Sequence, residues 1–198
     1  MRFVKALRFH LFLLVISLIA SVLTIMFVNV QPRIISAIAS VFWIIGIVCL
    51  FCLSCGNKRY RTAAVLNILS RVVSVVYSTV YYALLSRDVA VGENISTIIS
   101  TIFSIIISYQ LYTAHAEVVA EYDYNLSNKW RKLFGLSFII TVLSMLSTFM
   151  VNSSLSIAIW LSRYILNGTV LNIIGILLSL VTIVYVKRMI SLFSANEE

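Results

Sequence analysis

The chain reads as long apolar runs separated by short polar breaks. The first run, Leu11–Val30, is interrupted only by Ser, Thr and Asn, and it ends at Gln31-Pro32-Arg33, which holds the only Pro of the chain. The second, Ile34–Cys55, is closed by Gly56-Asn57-Lys58-Arg59. The third, Thr62–Leu85, gives way to the polar stretch Ser86–Glu93. A fourth starts at Asn94, reaches residue 118 and continues in helical pattern through Glu121. Asp123–Ser127 reads as a turn, with Ser127 as the N-cap of a helix from Lys129 onward. Leu133–Val151 is the fifth run. A hydrocarbon core about 30 Å thick needs about 20 apolar residues, which is the length these runs have.

Leu155–Val186 holds no acidic residue and is too long for one comfortable crossing. Asn167-Gly168 falls inside it, and Gly is a natural helix C-cap. The pattern favours a short helix over Ser154–Leu166 at the outer interface, anchored by Trp160, Arg163 and Tyr164, followed by a sixth span over 169–186. One long tilted helix kinked at Gly168 is the alternative. Residues 191–198 read as a disordered tail. The predicted fold is all-α: one membrane domain over residues 1–190, a bundle of six transmembrane helices.

Charge orients this bundle. Eleven of the fifteen Lys and Arg fall in four clusters: Arg2, Lys5 and Arg8; Lys58, Arg59 and Arg61; Lys129, Arg131 and Lys132; Lys187 and Arg188. All four lie on the same side of the predicted spans, and the opposite loops hold Arg33 and Arg87. The positive-inside rule then places both termini in the cytoplasm. The chain is 61% hydrophobic and 11% charged, with a mean hydropathy of +1.03, which excludes an ordinary soluble domain. The net charge of +8 is accounted for by loops facing anionic lipid headgroups, so nucleic acid is not an expected partner. The basic start resembles a signal peptide, but the apolar stretch exceeds an h-region and suits an uncleaved first span. Tyr60, Tyr122, Tyr124, Trp130 and Tyr185 fall at predicted inner edges, and Tyr81, Tyr82, Trp160 and Tyr164 at outer ones.

Small and hydroxyl residues recur at helical spacing. Span one has Ser17, Ser21 and Thr24; span four has Thr97, Ser100, Thr101, Ser104 and Ser108; span five has Ser137, Thr141, Ser144 and Thr148. Close helix packing is the favoured reading of such stripes, and a polar permeation path is the other.

The sharpest single residue is Arg71. It lies ten residues beyond Arg61, about 15 Å along the helix and near mid-bilayer. Asn67, Ser70, Arg71, Ser74 and Ser78 share one helical face. All seven acidic residues are expected outside the hydrocarbon, so Arg71 has no obvious carboxylate partner. An intramembrane charge marks a functional site by default. Arg71, Asn67, Ser74 and Ser78 are therefore the candidate ligand-binding residues, with a structural Arg bonded to carbonyls as the competing reading.

Thr113–Lys132 is the richest predicted cytoplasmic loop. His115, Glu117, Glu121, Asp123 and Trp130 form its candidate partner-docking surface, set against a solvated loop anchored by Trp130. Its D-x-N-L-S-x-K-W-x-K-L pattern, Asp123 to Leu133, resembles uncharacterised multi-span membrane proteins of Gram-positive bacteria over about twenty residues. That resemblance implies a bacterial plasma membrane and no activity. Leu161–Gly168 resembles the essential-Arg segment of the proton-channel subunit a of rotary ATP synthases through Arg163 and Asn167, but that family's further polar helix has no counterpart here. Cys49, Cys52 and Cys55 are spaced by three at the inner end of span two, with His10 and His115 in the same leaflet. They lack the paired, loop-borne spacing of zinc sites, so neither a metal nor a cofactor is expected, and the thiols should be reduced. Asn94-Ile95-Ser96 and Asn152-Ser153-Ser154 are sequons of a kind common by chance.

The sequence thus predicts a non-enzymatic integral protein of the plasma membrane. The first expectation is a small transporter or transporter subunit binding an anionic or amphipathic ligand near Arg71. The alternative is an accessory or immunity-type membrane protein acting through helix packing and its loop, with a membrane-protein partner or a second copy of itself. No serine–histidine pair, paired intramembrane carboxylates or nucleotide loop is evident.

Overall fold

The computed structural model describes residues 2–26, 32–81, 89–151 and 168–196, and side chains over 2–23, 40–81, 91–151 and 170–196. The described residues form six helices: α1 (Arg2–Met26), α2 (Pro32–Leu53), α3 (Lys58–Val80), α4 (Val89–Val119), α5 (Tyr124–Val151) and α6 (Gly168–Ala195). The described residues include no strand. Five helices are long and apolar enough to cross a bilayer, and the apolar part of α2 described with side chains is Ser40–Leu53. The chain is an integral membrane protein of the helical-bundle type. Helices suit this solvent because each satisfies its own backbone polar groups.

Each helix packs on its neighbours in sequence, and α6 packs on both α5 and α1. The six therefore close into a ring. Short connections at the basic end, Ser54–Asn57 and Ala120–Asp123, make the joined helices antiparallel neighbours. The Asn57 side chain caps α3 by accepting from the Arg59 amide at 2.8 Å, and Asp123 does the same for α5, accepting from the Leu126 amide at 2.9 Å.

Several boundaries differ from the pattern reading. The fifth helix starts at Tyr124, because Asp123 takes the capping role expected of Ser127; Ser127 is buried one turn inside. The fourth starts at Val89, with Gly92 and Glu93 already helical. The last runs through Ala195, so the tail expected from 191 is mostly helix: Met189 and Phe193 are buried on its inward face and extend it past the polar residues. The proposed interfacial helix with Trp160, Arg163 and Tyr164, and also Tyr82 and Thr24, lie outside the residues or side chains described.

The buried core lies almost wholly at the basic end. It draws on Val4 and Leu7, Leu50 and Leu53, Tyr60 and Ala64, Ala114 to Val119, Leu126 to Leu133, and Val186 to Phe193. Outward-facing residues such as Val72, Ile102, Leu136 and Val184 are exposed and apolar, as a lipid-facing surface requires.

Candidate functional site

The two halves of the ring are built differently. At the basic end, aromatic rings from all the helices but α2 fill the centre. His115 stacks on Trp130 with centroids 4.4 Å apart, and its Nδ1 shares a 2.7 Å hydrogen bond with the Tyr60 hydroxyl. His10 lies 5.8 Å from His115, and Tyr185 meets Trp130 edge-on at 5.4 Å. Phe3 packs edge-on against Phe193 at 5.5 Å. Tyr60, His115 and Trp130 are each 0% exposed. His10 Nε2, His115 Nε2 and Trp130 Nε1 are buried without a hydrogen-bond partner among the described residues. Below this plug, Arg59 pairs with Glu117 at 2.9 Å, Asn57 Nδ2 donates to the same carboxylate, and Arg188 pairs with Asp123 at 2.6 Å.

This geometry redraws the docking loop. His115 and Trp130 lie in the core, so Trp130 is no interfacial anchor and neither is available to a partner. Tyr60 likewise leaves the predicted aromatic belt for the core. Glu117 and Asp123 are spent on intramolecular clasps to Arg59 and Arg188, while Glu121 is exposed. The Asp123 carboxyl lies below the ordinary carboxylate range, held down first by the Leu126 amide and then by the Arg188 guanidinium.

The opposite half holds a cleft of about 720 Å³ between α4, α5 and α6, reached by Ser21 of α1. Nine of its fifteen lining residues carry hydroxyls: Ser21, Thr97, Ser100, Thr101, Ser104, Thr141, Ser144, Thr148 and Ser179. Asn172 adds an amide, and no lining residue is charged. Parts of the stripes read as packing surfaces thus line a void, namely Ser21, Thr97 to Ser104, and Thr141, Ser144 and Thr148. The sequence showed the stripes, but only the ring closure brings three of them to one space.

Six of the nine hydroxyls have a common orientation. Ser21 donates to the Ser17 carbonyl at 2.9 Å, Thr97 to Glu93 at 2.8 Å, Ser100 to Thr97 at 3.0 Å, Thr141 to Ser137 at 2.8 Å, Thr148 to Ser144 at 3.1 Å and Ser179 to Gly175 at 3.0 Å. Each proton is engaged by the side chain's own helix, leaving oxygen lone pairs for anything in the cleft. A second cavity of about 310 Å³ shares Thr97 and Thr148 with the first and is bordered by Tyr77, Ser78, Gly92, Glu93 and Ser96. Glu93 gives the smaller cavity a carboxylate.

The residues predicted around Arg71 do not converge. Ser78 borders the smaller cavity. Asn67 donates to the Ala63 carbonyl at 3.0 Å and Ser74 to the Ser70 carbonyl at 2.8 Å, so both are satisfied within α3. Arg71 is exposed and lines neither cavity. Its flank of α3 turns outward with Ile68 and Val75. Of the cysteines, Cys49 is buried with its thiol on the Ala6 carbonyl, while Cys52 and Cys55 are exposed and free. Among the described residues no three His, Cys, Asp or Glu side chains gather into a metal site.

No known family model, curated protein or solved structure matches this chain.

Proposed function

We propose that this membrane protein is a small transporter or transporter subunit whose solute site is the hydroxyl cleft, and that the solute is a small neutral or cationic hydrogen-bond donor. The observation that carries the reading is the orientation of six cleft hydroxyls, each donating to its own helix and offering only lone pairs inward. An anion there would meet no cation, and apart from the Asn172 amide mostly hydroxyl oxygens whose protons are engaged, an unfavourable match in a low-dielectric setting. A polyol, amine or ammonium would find acceptors at every helix of the cleft, with Glu93 in the adjoining cavity. The ligand therefore moves from the anion expected at Arg71 to a donor in the cleft. The aromatic plug seals the other half, leaving the site closed toward the basic end as a transport cycle requires of one of its states. The role is binding and passage, without catalysis.

The test is thermal stability of the purified protein in lipid nanodiscs against a panel of small polyols, amines and carboxylates. A stabilising polyol or amine, lost in Thr141→Val/Ser144→Ala while the variant keeps the parent's own melting temperature, supports the cleft. Stabilisation by carboxylates alone, or a polyol response unchanged in the double variant, rejects it.

A further inference from the structure

Arg71 remains unexplained by the cleft. It is exposed at mid-helix, and it makes no hydrogen bond or ion pair among the described residues. Ile68, one turn before it, and Val75, one turn after it, are exposed apolar residues, as are Val72 and Val76 beside them. Arg71 thus lies near the middle of α3, between this aliphatic flank and the polar stripe of Asn67, Ser70, Ser74 and Ser78. It lies about 15 Å from Arg61 at the basic end and about 13 Å from Val80 at the other, a depth that bending the side chain cannot span. An unpaired guanidinium there is costly, and such groups in membrane proteins pair with a carboxylate or with carbonyls.

Among the described residues no carboxylate fills that need. Glu117, Glu121 and Asp123 lie at the basic end, the first and last of them already paired. Glu93 is the remaining described carboxylate of the spans. Tyr77 and Ser78 border it in the smaller cavity, so Arg71, six to seven residues deeper on α3, sits about 10 Å below it. A second copy in the same membrane orientation would present the same mismatch, whereas a different helix with an acid at mid-depth would match in both charge and level. We propose that the Ile68–Val76 face of α3 is a heteromeric docking surface, and that its partner is a transmembrane helix bearing one Asp or Glu at mid-bilayer depth, paired with Arg71. The valines of this face are short and branched, which lets a partner backbone approach closely enough for the pair to form.

The experiment uses the full chain in phosphatidylcholine vesicles with a fluorescent single-span polyleucine peptide. The peptide carries one central Asp, or Leu or Lys at the same place, and energy transfer to the labelled protein reports association. The Asp peptide should bind about tenfold more tightly than the Leu peptide, and the Lys peptide no better than Leu. That preference should vanish in Arg71→Leu and in Arg71→Gln, survive in Arg71→Lys, and be unchanged in Glu93→Gln. Two neutral variants guard against one of them misfolding, checked by helical content and monodisperse elution. Equal binding of the Asp and Leu peptides overturns the proposal, as does an Asp preference that persists without Arg71. It is equally overturned if Arg71 instead mediates self-association between labelled copies, or if Arg71 is needed only for a response to phosphatidylglycerol, which would assign it to a lipid phosphate.

Discussion

The two ends of one ring of helices obey opposite rules. At the basic end, Trp130, Tyr60, His115 and Leu53 are 0% exposed and the rings interlock. At the other end, the same helices face one another with Ser and Thr across a cleft of about 720 Å³. The difference is one of side-chain size. Large rings reach the centre and fill it, whereas hydroxymethyl groups stop short. In a bilayer, burial from water does not drive helices together, so association rests on packing and polar contacts. The ring is therefore held at one end and left open at the other.

The largest effect should come from emptying the packed end. Trp130→Ala removes a ring that touches His115, Tyr112 and Tyr185, and such truncations cost about 3–5 kcal/mol. Ser144→Ala in the cleft removes one hydroxyl from an existing void and should change stability by less than about 0.5 kcal/mol. Urea or detergent titration of helical content compares the two. Similar losses would mean that the cleft is as tightly coupled as the plug, and the contrast would fail.

Glycines sharpen the same contrast at smaller scale. A Cβ on Gly56 would overlap the Phe3 ring, which is itself held between Tyr60 at 6.3 Å and Phe193 at 5.5 Å. Gly56→Ala should therefore destabilise by about 1–3 kcal/mol, the usual cost of overpacking. A Cβ on Gly175, at the cleft, meets nothing within 4 Å. Gly175→Ala should stabilise by up to about 1 kcal/mol through helix propensity. Melting curves of the two variants should shift in opposite directions.

Much of this fold was legible in the sequence, because membrane spans impose two crude, strong signals. Apolar length located the helices, and Lys and Arg clusters identified one common end. Helix termini were less legible: Asp123 and Ser127 are both good caps, and only the amide position of Leu126 shows which one acts. The fates of Trp130 and His115 were hidden for another reason. A Trp beside Lys and Arg reads as an interfacial anchor, and its burial depends on rings of α4 and α6 arriving around it. The cleft was half legible. Its hydroxyl stripes were evident, but stripes that pack and stripes that line a void have the same spacing. Arg71 was found by depth alone, while its direction required the helix faces.

A smaller effect is expected where the plug meets solvent. Arg59 and Glu117 pair at 2.9 Å with side chains 35% and 40% exposed, so water and salt screen the contact. Glu117→Gln should cost no more than about 0.5 kcal/mol, and less at high salt. A loss several times larger, persisting in salt, would show that this clasp and not the aromatic packing holds the basic end.

The smallest and most specific effect concerns pH. Asp123 joins the start of α5 to α6, accepting from the Leu126 amide through one oxygen and from Arg188 through the other. Its carboxyl is held below the ordinary range, so the folded state binds its proton less readily than the unfolded chain does. The stabilisation is fully present above the unfolded carboxylate range, and it is lost as pH falls through the lowered folded value. The parent's melting temperature should therefore decline on acidification in that window. Asp123→Asn keeps an acceptor for the amide but has no carboxyl to titrate, so its curve should start lower at neutral pH and converge on the parent's in acid. Arg188→Gln should reproduce part of the loss at neutral pH, since the amide contact would remain. Parallel curves for parent and Asp123→Asn across the whole range would show that the α5–α6 clasp carries no pH dependence. The packed end would then owe none of its stability to ionisation of Asp123.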